Sequence, residues 1–368
     1  MENRRRLYRY EPDYAVPPGP TLQETIESIG MSQTELALRT GRTLKTINEI
    51  IQGKAPITAE TAIQLERVLG VPASFWNNLE RNYRADLASI EERNRFESSM
   101  AWARQFPRQA LAKLGAISSV EGKAALVIEM LNFFGIASPS AWERTWTEAG
   151  VTFRRSPAFQ SSPGSVSAWL RLGEIAARKI PCQPYDRPRF RLAISSARSL
   201  TVKPIDFAQS ELARLCAEAG VAVVFVPELP KTHVSGATRW LSPTKALIQL
   251  SLRHKTDDHL WFCFFHEAGH ILLHGKKAVF LEEKCDGDNA EMAANEFARD
   301  TLIPPGRYRG FTASGSLSRT AIQQFAESIG IAPGIVVGRL QRDHLLDFSV
   351  CNDLKQRYVM QAQGEWAV

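Results

Sequence analysis

Residues 259–275 read HLWFCFFHEAGHILLHG, a run too long and too apolar for a surface strand and best accommodated as a helix inside a core. A chain with such a helix must wrap other elements around it. The run also carries His266, Glu267, His270 and His274, although the whole chain has only 7 histidines. Polar side chains drawn into an apolar interior need partners. On a helix, His266 and His270 lie one turn apart on the same face. Two neutral imidazoles at that spacing can ligate one zinc ion, with Glu267 between them as the proton-transfer group. The plain alternative is a hydrogen-bonded pair of core histidines.

A catalytic zinc site takes three protein ligands and keeps one position open. The third ligand is expected from a separate element, and DNAEMAANEFARDTLIPP (288–305) reads as a second helix closed by Pro304–Pro305. Glu291 opens that helix and leads as third ligand. Asn295, one turn further along the same face, is placed to hydrogen-bond a ligand histidine. Glu282 and Glu283 are rivals, but they sit in a loop with no helix to fix them. His274, followed by Gly275, reads as a helix end favoured by the dipole, with a fourth nitrogen near the metal as the alternative. Cys263 reads as core packing.

Upstream, VAVVFVPEL (221–229) is a buried strand pattern, and VSGATRWL and KALIQLSL continue as a small sheet. An extended peptide is expected to add to an edge strand near 234–241 by backbone pairing.

The other end of the chain is organised by capping signals. Thr21–Ile29 is helical in pattern and stops at Gly30. Ser32 with Glu35 three residues on forms a capping box, and Gly41 ends that helix. Thr43 caps LKTINEIIQG, with Leu44, Ile47, Ile50 and Ile51 at helical spacing, and Thr58 opens a fourth helix. Two short helices joined by a tight glycine turn form a helix-turn-helix arrangement, whose second helix enters the major groove. The candidate base-reading residues are Thr43, Lys45, Thr46, Asn48 and Glu49, with Lys45 suited to guanine and Asn48 to adenine. Gln33 and Lys54 are placed for phosphate. A small helical interaction domain is the alternative.

SQTELA, Gly41, the IIxGK of 50–54 and ITxETAIxLExxLG together resemble the Xre-type helix-turn-helix family, in the subgroup of HigA/VapI-type antitoxins, over about residues 17–85. That resemblance implies a homodimer on operator-type double-stranded DNA.

FFHEAGHILLHG with EMAANEFARDTLIP resembles the ImmA/IrrE family of zinc metallopeptidases over about residues 207–340. The resemblance implies a gluzincin-like geometry with Glu291 as ligand, and cleavage of a repressor partner. Where many relatives carry a second acidic residue before the Ala-Asn pair, this chain has Ala293.

Charge is uneven. Residues 1–90 hold 11 Lys+Arg against 11 Asp+Glu, whereas residues 100–205 hold 15 against 6. The basic middle suits either phosphate or a solvated surface. Its tryptophans Trp142, Trp146 and Trp169 read as core. The 5 cysteines are scattered without a CxxC pair, which fits free thiols in a reducing cytoplasm. No apolar run reaches the ~20 residues of a membrane span, so no membrane partner is expected.

The expected fold is multidomain and mainly α. Residues 1–85 form an all-α helix-turn-helix domain and 86–205 a basic helical linker. Residues 206–310 form an α+β zincin-like (gluzincin-type) metallopeptidase domain with a small sheet, and 311–368 a helical extension, whose two-helix pattern is taken as packing. The expected function is a DNA-binding transcriptional regulator with a zinc-dependent endopeptidase that cleaves a repressor-type protein or itself. The alternative is a HigA-like antitoxin that binds a cognate toxin and uses the second domain as a sensor or partner surface.

Overall fold

The structure, a computed structural model, describes residues 14–119, 122–148, 162–251, 256–274, 280–281 and 289–358. Glu282, Glu283 and Gly275 lie outside the described residues. The chain divides into two compact units: Met1–Met100 with Lys123–Ala125, and Ala101–Gly122 with Leu126–Val368.

In the first unit, α1 (Gly19–Ser28), α2 (Gln33–Thr40), α3 (Leu44–Ile51), α4 (Ala59–Leu69) and α5 (Ala73–Glu97) follow one another through short turns. Local chemistry sets their ends. The hydroxyls of Ser32, Thr43 and Thr58 accept from the N–H groups of Glu35, Thr46 and Thr61, capping α2, α3 and α4. Gly41 closes α2 in the left-handed region at φ 68°. The apolar faces meet in a core of Leu22, Ile26, Leu36, Ile47, Ile50, Leu65 and Trp76. Gly19 lets α1 start directly against the end of α3, since a Cβ there would sit 2.1 Å from the Ile51 carbonyl oxygen.

The second unit takes in α7 (Arg108–Lys113), which follows the one-turn α6 (Met100–Ala103). It continues with α8 (Lys123–Phe134), α9 (Pro139–Trp142), a π-helical turn at Glu143–Glu148, α10 (Pro163–Lys179), α11 (Arg187–Ala197) and α12 (Ile205–Ala217). The stretch Lys123–Trp146 is long and apolar enough, at mean hydropathy 1.4, to cross a membrane by length and composition. Gly135 interrupts it at φ 66°. Its Val127, Met130, Phe134, Trp142 and Trp146 are buried, with Trp142 edge to face on Phe106 and both tryptophans edge to face on Phe134. Trp169 is buried as well, so all three tryptophans are core.

The sheet runs β1–β3–β2–β4, from β1 (Val221–Phe225), β2 (Gly236–Ser242), β3 (Lys245–Leu250) and the two-residue β4 (Phe280–Leu281). β1 is parallel to β3, and the other pairs are antiparallel. Alternation sends Ala246, Ile248 and Leu250 into one core with Phe264 and Phe265 of α13 (Asp257–Leu273). Gln249 lies on the α10 side, where its Nε2 donates to the Trp169 carbonyl at 2.6 Å. Both faces of the sheet are therefore covered.

After α14 (Asn289–Leu302) and α15 (Pro305–Ala313), α16 (Arg319–Ile329) and α17 (Pro333–Arg342) form the late helix pair. α17 packs on α13 through Gly334 and Gly338, where a Cβ would come within 2.4 Å of Asp257 and 2.5 Å of Asp258. The tail returns to the same helix end: Lys355 Nζ is 2.7 Å from Asp258 Oδ2, and Thr256 bridges Arg357.

The sequence suggested four segments, and the contacts group the chain into two units. The reason is packing at long range: Phe190 and Ile194 of α11 and Val336 and Leu340 of α17 share one core with α13. Several arginines of the basic middle are used within that unit. Arg187 donates to the Leu272 carbonyl at 2.7 Å and Arg198 to the Leu302 carbonyl at 3.0 Å, at the last turns of α13 and α14. Arg171, Arg178 and Arg239 surround the buried Glu174 at 3.0, 2.5 and 2.5 Å. Burial would raise the Glu174 carboxyl, but those three cations hold it below its ordinary range.

Candidate nucleic-acid interface and metal centre

α2 and α3 form the helix-turn-helix pair, and α3 is amphipathic. Ile47 and Ile50 are buried, while Thr43, Leu44 and Lys45 are exposed. Lys45 reaches solvent, with its Nζ 3.9 Å from Glu49 Oε1. The Thr43 and Thr46 hydroxyls lie 2.8 Å apart at the start of the helix, so the two are tied together there as part of the cap. Asn48 and Gln33 come together across the turn, with Asn48 Nδ2 donating to Gln33 Oε1 at 3.4 Å. Lys54 is exposed beyond the end of α3, its N–H held by the Glu49 carbonyl at 2.8 Å. Leu44, 47 % exposed at the first position of α3, is a further candidate contact that its place in the apolar helical spacing does not signal. An apolar side chain there suits a thymine methyl.

In the second unit α13 is buried on nearly every face, and His266, Glu267 and His270 are each 0–1 % exposed. α14 crosses against it. Gly269, between Glu267 and His270 with Ala268, allows that approach: a Cβ there would be 3.1 Å from Phe297 and 3.2 Å from the Ala294 backbone. The crossing brings Glu291 over both histidines, Oε2 lying 3.2 Å from His266 Nε2 and Oε1 3.2 Å from His270 Nε2. The two Nε2 atoms are 3.0 Å apart. All three ligand atoms thus fall within 4.8 Å of one another, the one such group among the described residues.

Asn295 Oδ1 lies 3.1 Å from His266 Nδ1, one helical turn beyond Glu291. An amide oxygen only accepts, so it fixes the proton on Nδ1 and turns the lone pair of Nε2 towards Glu291 and His270. Burial pushes the His270 pKa down and keeps that ring neutral. Burial would raise the Glu291 carboxyl, but the two imidazoles beside it hold it below its ordinary range, at about 2. Two imidazole nitrogens and one carboxylate, converging with a fixed tautomer, are a donor set that fits a zinc ion.

Glu267 sits against the sheet. Gly236 on β2 makes the room, since a Cβ there would lie 2.7 Å from Glu267 Oε1. Thr238, two residues on and on the same strand face, donates its hydroxyl to the Glu267 carbonyl at 3.1 Å. Neither residue was picked out from the sequence. The available signal was a glycine inside a strand pattern, which marks a close approach. His274 is the C-cap of α13, with Nε2 3.1 Å from the Ala290 carbonyl, so it ties the end of α13 to the first turn of α14 and stands outside the three-ligand group. Cys263 is buried in the core.

The expected peptide-binding edge is corrected. β2 is not an open edge over its first half, because β4 pairs with it through Ala237↔Leu281 and Thr238↔Phe280. Sequence pattern could not show this, since the pairing joins residues more than 40 apart.

A Helix-turn-helix family profile matches residues 4–76. The HTH-type transcriptional regulator YddM of Escherichia coli (strain K12) is 33% identical over 75 residues, which take in 20% of this chain and 78% of that protein. Virulence-associated protein I of Dichelobacter nodosus is 32% identical over 81 residues, 22% of this chain and 75% of that protein. Among solved structures, Pseudomonas aeruginosa antitoxin HigA with the higBA promoter shares 29% identity, spans 22% of this chain and 87% of its own, and gives a TM-score of 0.21.

Proposed function

Because the chain belongs through its N-terminal unit to the helix-turn-helix family of transcriptional regulators, we propose that it binds operator DNA through α3 as a homodimer and that its second unit is a zincin-like, ImmA/IrrE-type peptidase acting on a repressor-type protein or on itself. The observation that carries the second half is the convergence of His266, His270 and Glu291 beside Glu267.

In this reading His266, His270 and Glu291 hold zinc, which when bound supplies Lewis acidity towards a peptide carbonyl and towards water. Asn295 keeps His266 in the tautomer that can ligate. Glu267 takes the proton from the attacking water and passes it to the leaving amine. Gly236 and Thr238 place the Glu267 side chain and backbone against β2, which excludes bulk water from the carboxylate.

The test is Glu267→Gln in the full chain, with metal content, operator binding and proteolysis of a proteome-derived peptide library measured together. Cleavage is expected to vanish while zinc and DNA binding persist. Cleavage that survives the substitution, or a purified wild-type chain without zinc whose metal content is unchanged by His266→Ala, rules the peptidase out.

A second reading is favoured by two observations: Glu267 is fully buried, and β4 already pairs with part of the strand a peptide would use. In that reading the protein is an antitoxin-like regulator whose second unit senses a metal or binds a cognate toxin without proteolysis. Zinc bound with no cleavage by either wild type or variant is its expected outcome.

A further inference from the structure

Four side chains on three helices of the N-terminal unit form a one-way chain of hydrogen bonds. Asn48 Nδ2 on α3 donates to Gln33 Oε1 at the start of α2, at 3.4 Å. Gln33 Nε2 donates to Gln23 Oε1 on α1, at 2.8 Å. Gln23 Nε2 in turn donates to Glu27 Oε1, one turn further along α1. Gln23, Gln33 and Asn48 are all partly buried, while Glu27 is exposed.

A primary amide has one end that accepts and one that donates, so an isolated amide can turn over and present either. Here the far end is a carboxylate, which at neutral pH only accepts. Gln23 must therefore point its NH2 at Glu27, which leaves its carbonyl for Gln33. Gln33 then points its NH2 at Gln23 and its carbonyl at Asn48. Asn48 gives one N–H to Gln33 and keeps Oδ1 and the second N–H. The charged end strengthens the last link, and links in series polarise one another. The set that Asn48 retains is what an adenine edge requires: a carbonyl to accept from N6 and an N–H to donate to N7.

We propose that Gln23 and Glu27 are positioning residues that act through Gln33 to fix the amide orientation of Asn48, and so set the preference of the recognition helix for adenine at one base pair of each half-site. The proposal rests on the reading of α3 as the recognition helix. Gln23 and Glu27 need touch no DNA for this. Their effect falls on sequence preference, whereas a phosphate contact would change affinity for every sequence alike.

The experiment uses the full chain and a randomised duplex DNA library. Selection on the wild type yields its preferred site, and Asn48→Ala identifies the base pair that Asn48 reads, with an expected loss of roughly tenfold preference for adenine there. Gln23→Leu and Glu27→Leu are expected to lose about three- to tenfold at that same base pair, with binding to the unselected library unchanged. The exchange Gln23→Glu with Glu27→Gln keeps an acceptor facing Gln33 and a donor at position 27, so it is expected to restore the preference. Glu27 is exposed, so its substitution leaves the fold intact even if Gln23→Leu does not. An unchanged preference in Glu27→Leu, an effect at a different base pair, or an equal loss on all sequences overturns the proposal. A wild type that enriches no site at all overturns the DNA-recognition reading itself, which is a separate result.

Discussion

α3 presents Thr43, Leu44 and Lys45 to solvent while Ile47 and Ile50 anchor it in a small core, whereas α13 gives His266, Glu267 and His270 no exposed face. On α3 the residues that hold the helix and those that would meet a partner lie on different sides. A surface side chain there can change without disturbing the packing beneath it. On α13 the polar residues sit among Phe264, Phe265 and Ile271, so their desolvation is tolerable only with partners in place. Glu291 and Asn295 on α14 supply partners for the histidines. Function and stability should therefore separate in the first unit and be coupled in the second.

The largest expected effect tests that coupling. Phe264 is fully buried behind the histidines, and Phe264→Ala should cost ~3–5 kcal/mol of the second unit's stability by transfer and cavity terms together. Because the α13–α14 crossing positions the three ligand atoms, zinc affinity should fall with it. Calorimetric unfolding and chelator competition on the same protein check both. A variant with lowered melting temperature but wild-type zinc affinity breaks the coupling.

A smaller effect comes from the N-terminus of α13. Burial, and after it the neighbouring Asp258 charge, push the Asp257 carboxyl up to about 7. The ordinary value is about 4. Among the described residues Asp258 and Tyr358 interact with it, and Lys355 pairs with Asp258. Between pH about 4 and about 7 the folded chain keeps a proton that the unfolded chain has released, so stability falls as pH rises through that window and levels off above it. Asp257→Asn should flatten this part of the profile, by on the order of a few kcal/mol across the window. Denaturant titrations at pH 4.5 to 8 measure the difference between variant and wild type; parallel profiles would show that Asp257 does not titrate there.

The same contrast explains what was legible beforehand. Ser32, Thr43, Thr58 and Gly41 act on neighbours within four residues, so their roles are written locally and the helix ends fall where those residues stand. The spacing of His266 and His270 is local too. Glu291 was reachable because a helix pattern with its own proline stop surrounds it. The rest of the site depends on the tertiary fold. Gly236 and Thr238 meet Glu267 about 30 residues away, Lys355 meets Asp258 97 residues away, and β4 covers part of the β2 edge. No periodicity encodes those contacts, and net charge misled in the same way: arginines counted as a basic surface are partly spent on the last-turn carbonyls of α13 and α14 and on Glu174.

The smallest stability effect belongs on α3, and it is the sharpest test of separation. The Lys45 side chain is 84% exposed, and its ion pair with Glu49, at 3.9 Å across one exposed turn, is the kind that contributes little. Lys45→Ala should therefore leave the unfolding free energy within ~0.5 kcal/mol of wild type. DNA affinity should still drop, because a cation at the first turn of a recognition helix meets either a guanine edge or a phosphate. The salt dependence tells which. A phosphate contact lowers the slope of log K against log salt by about 1, with equal loss on all sequences, whereas a guanine contact relaxes preference at one base pair. Measured together with Phe264→Ala, the pair gives opposite signatures: binding lost without stability in one unit, and stability and metal lost together in the other. A Lys45→Ala protein that melts as early as Phe264→Ala would remove the distinction between the two helices.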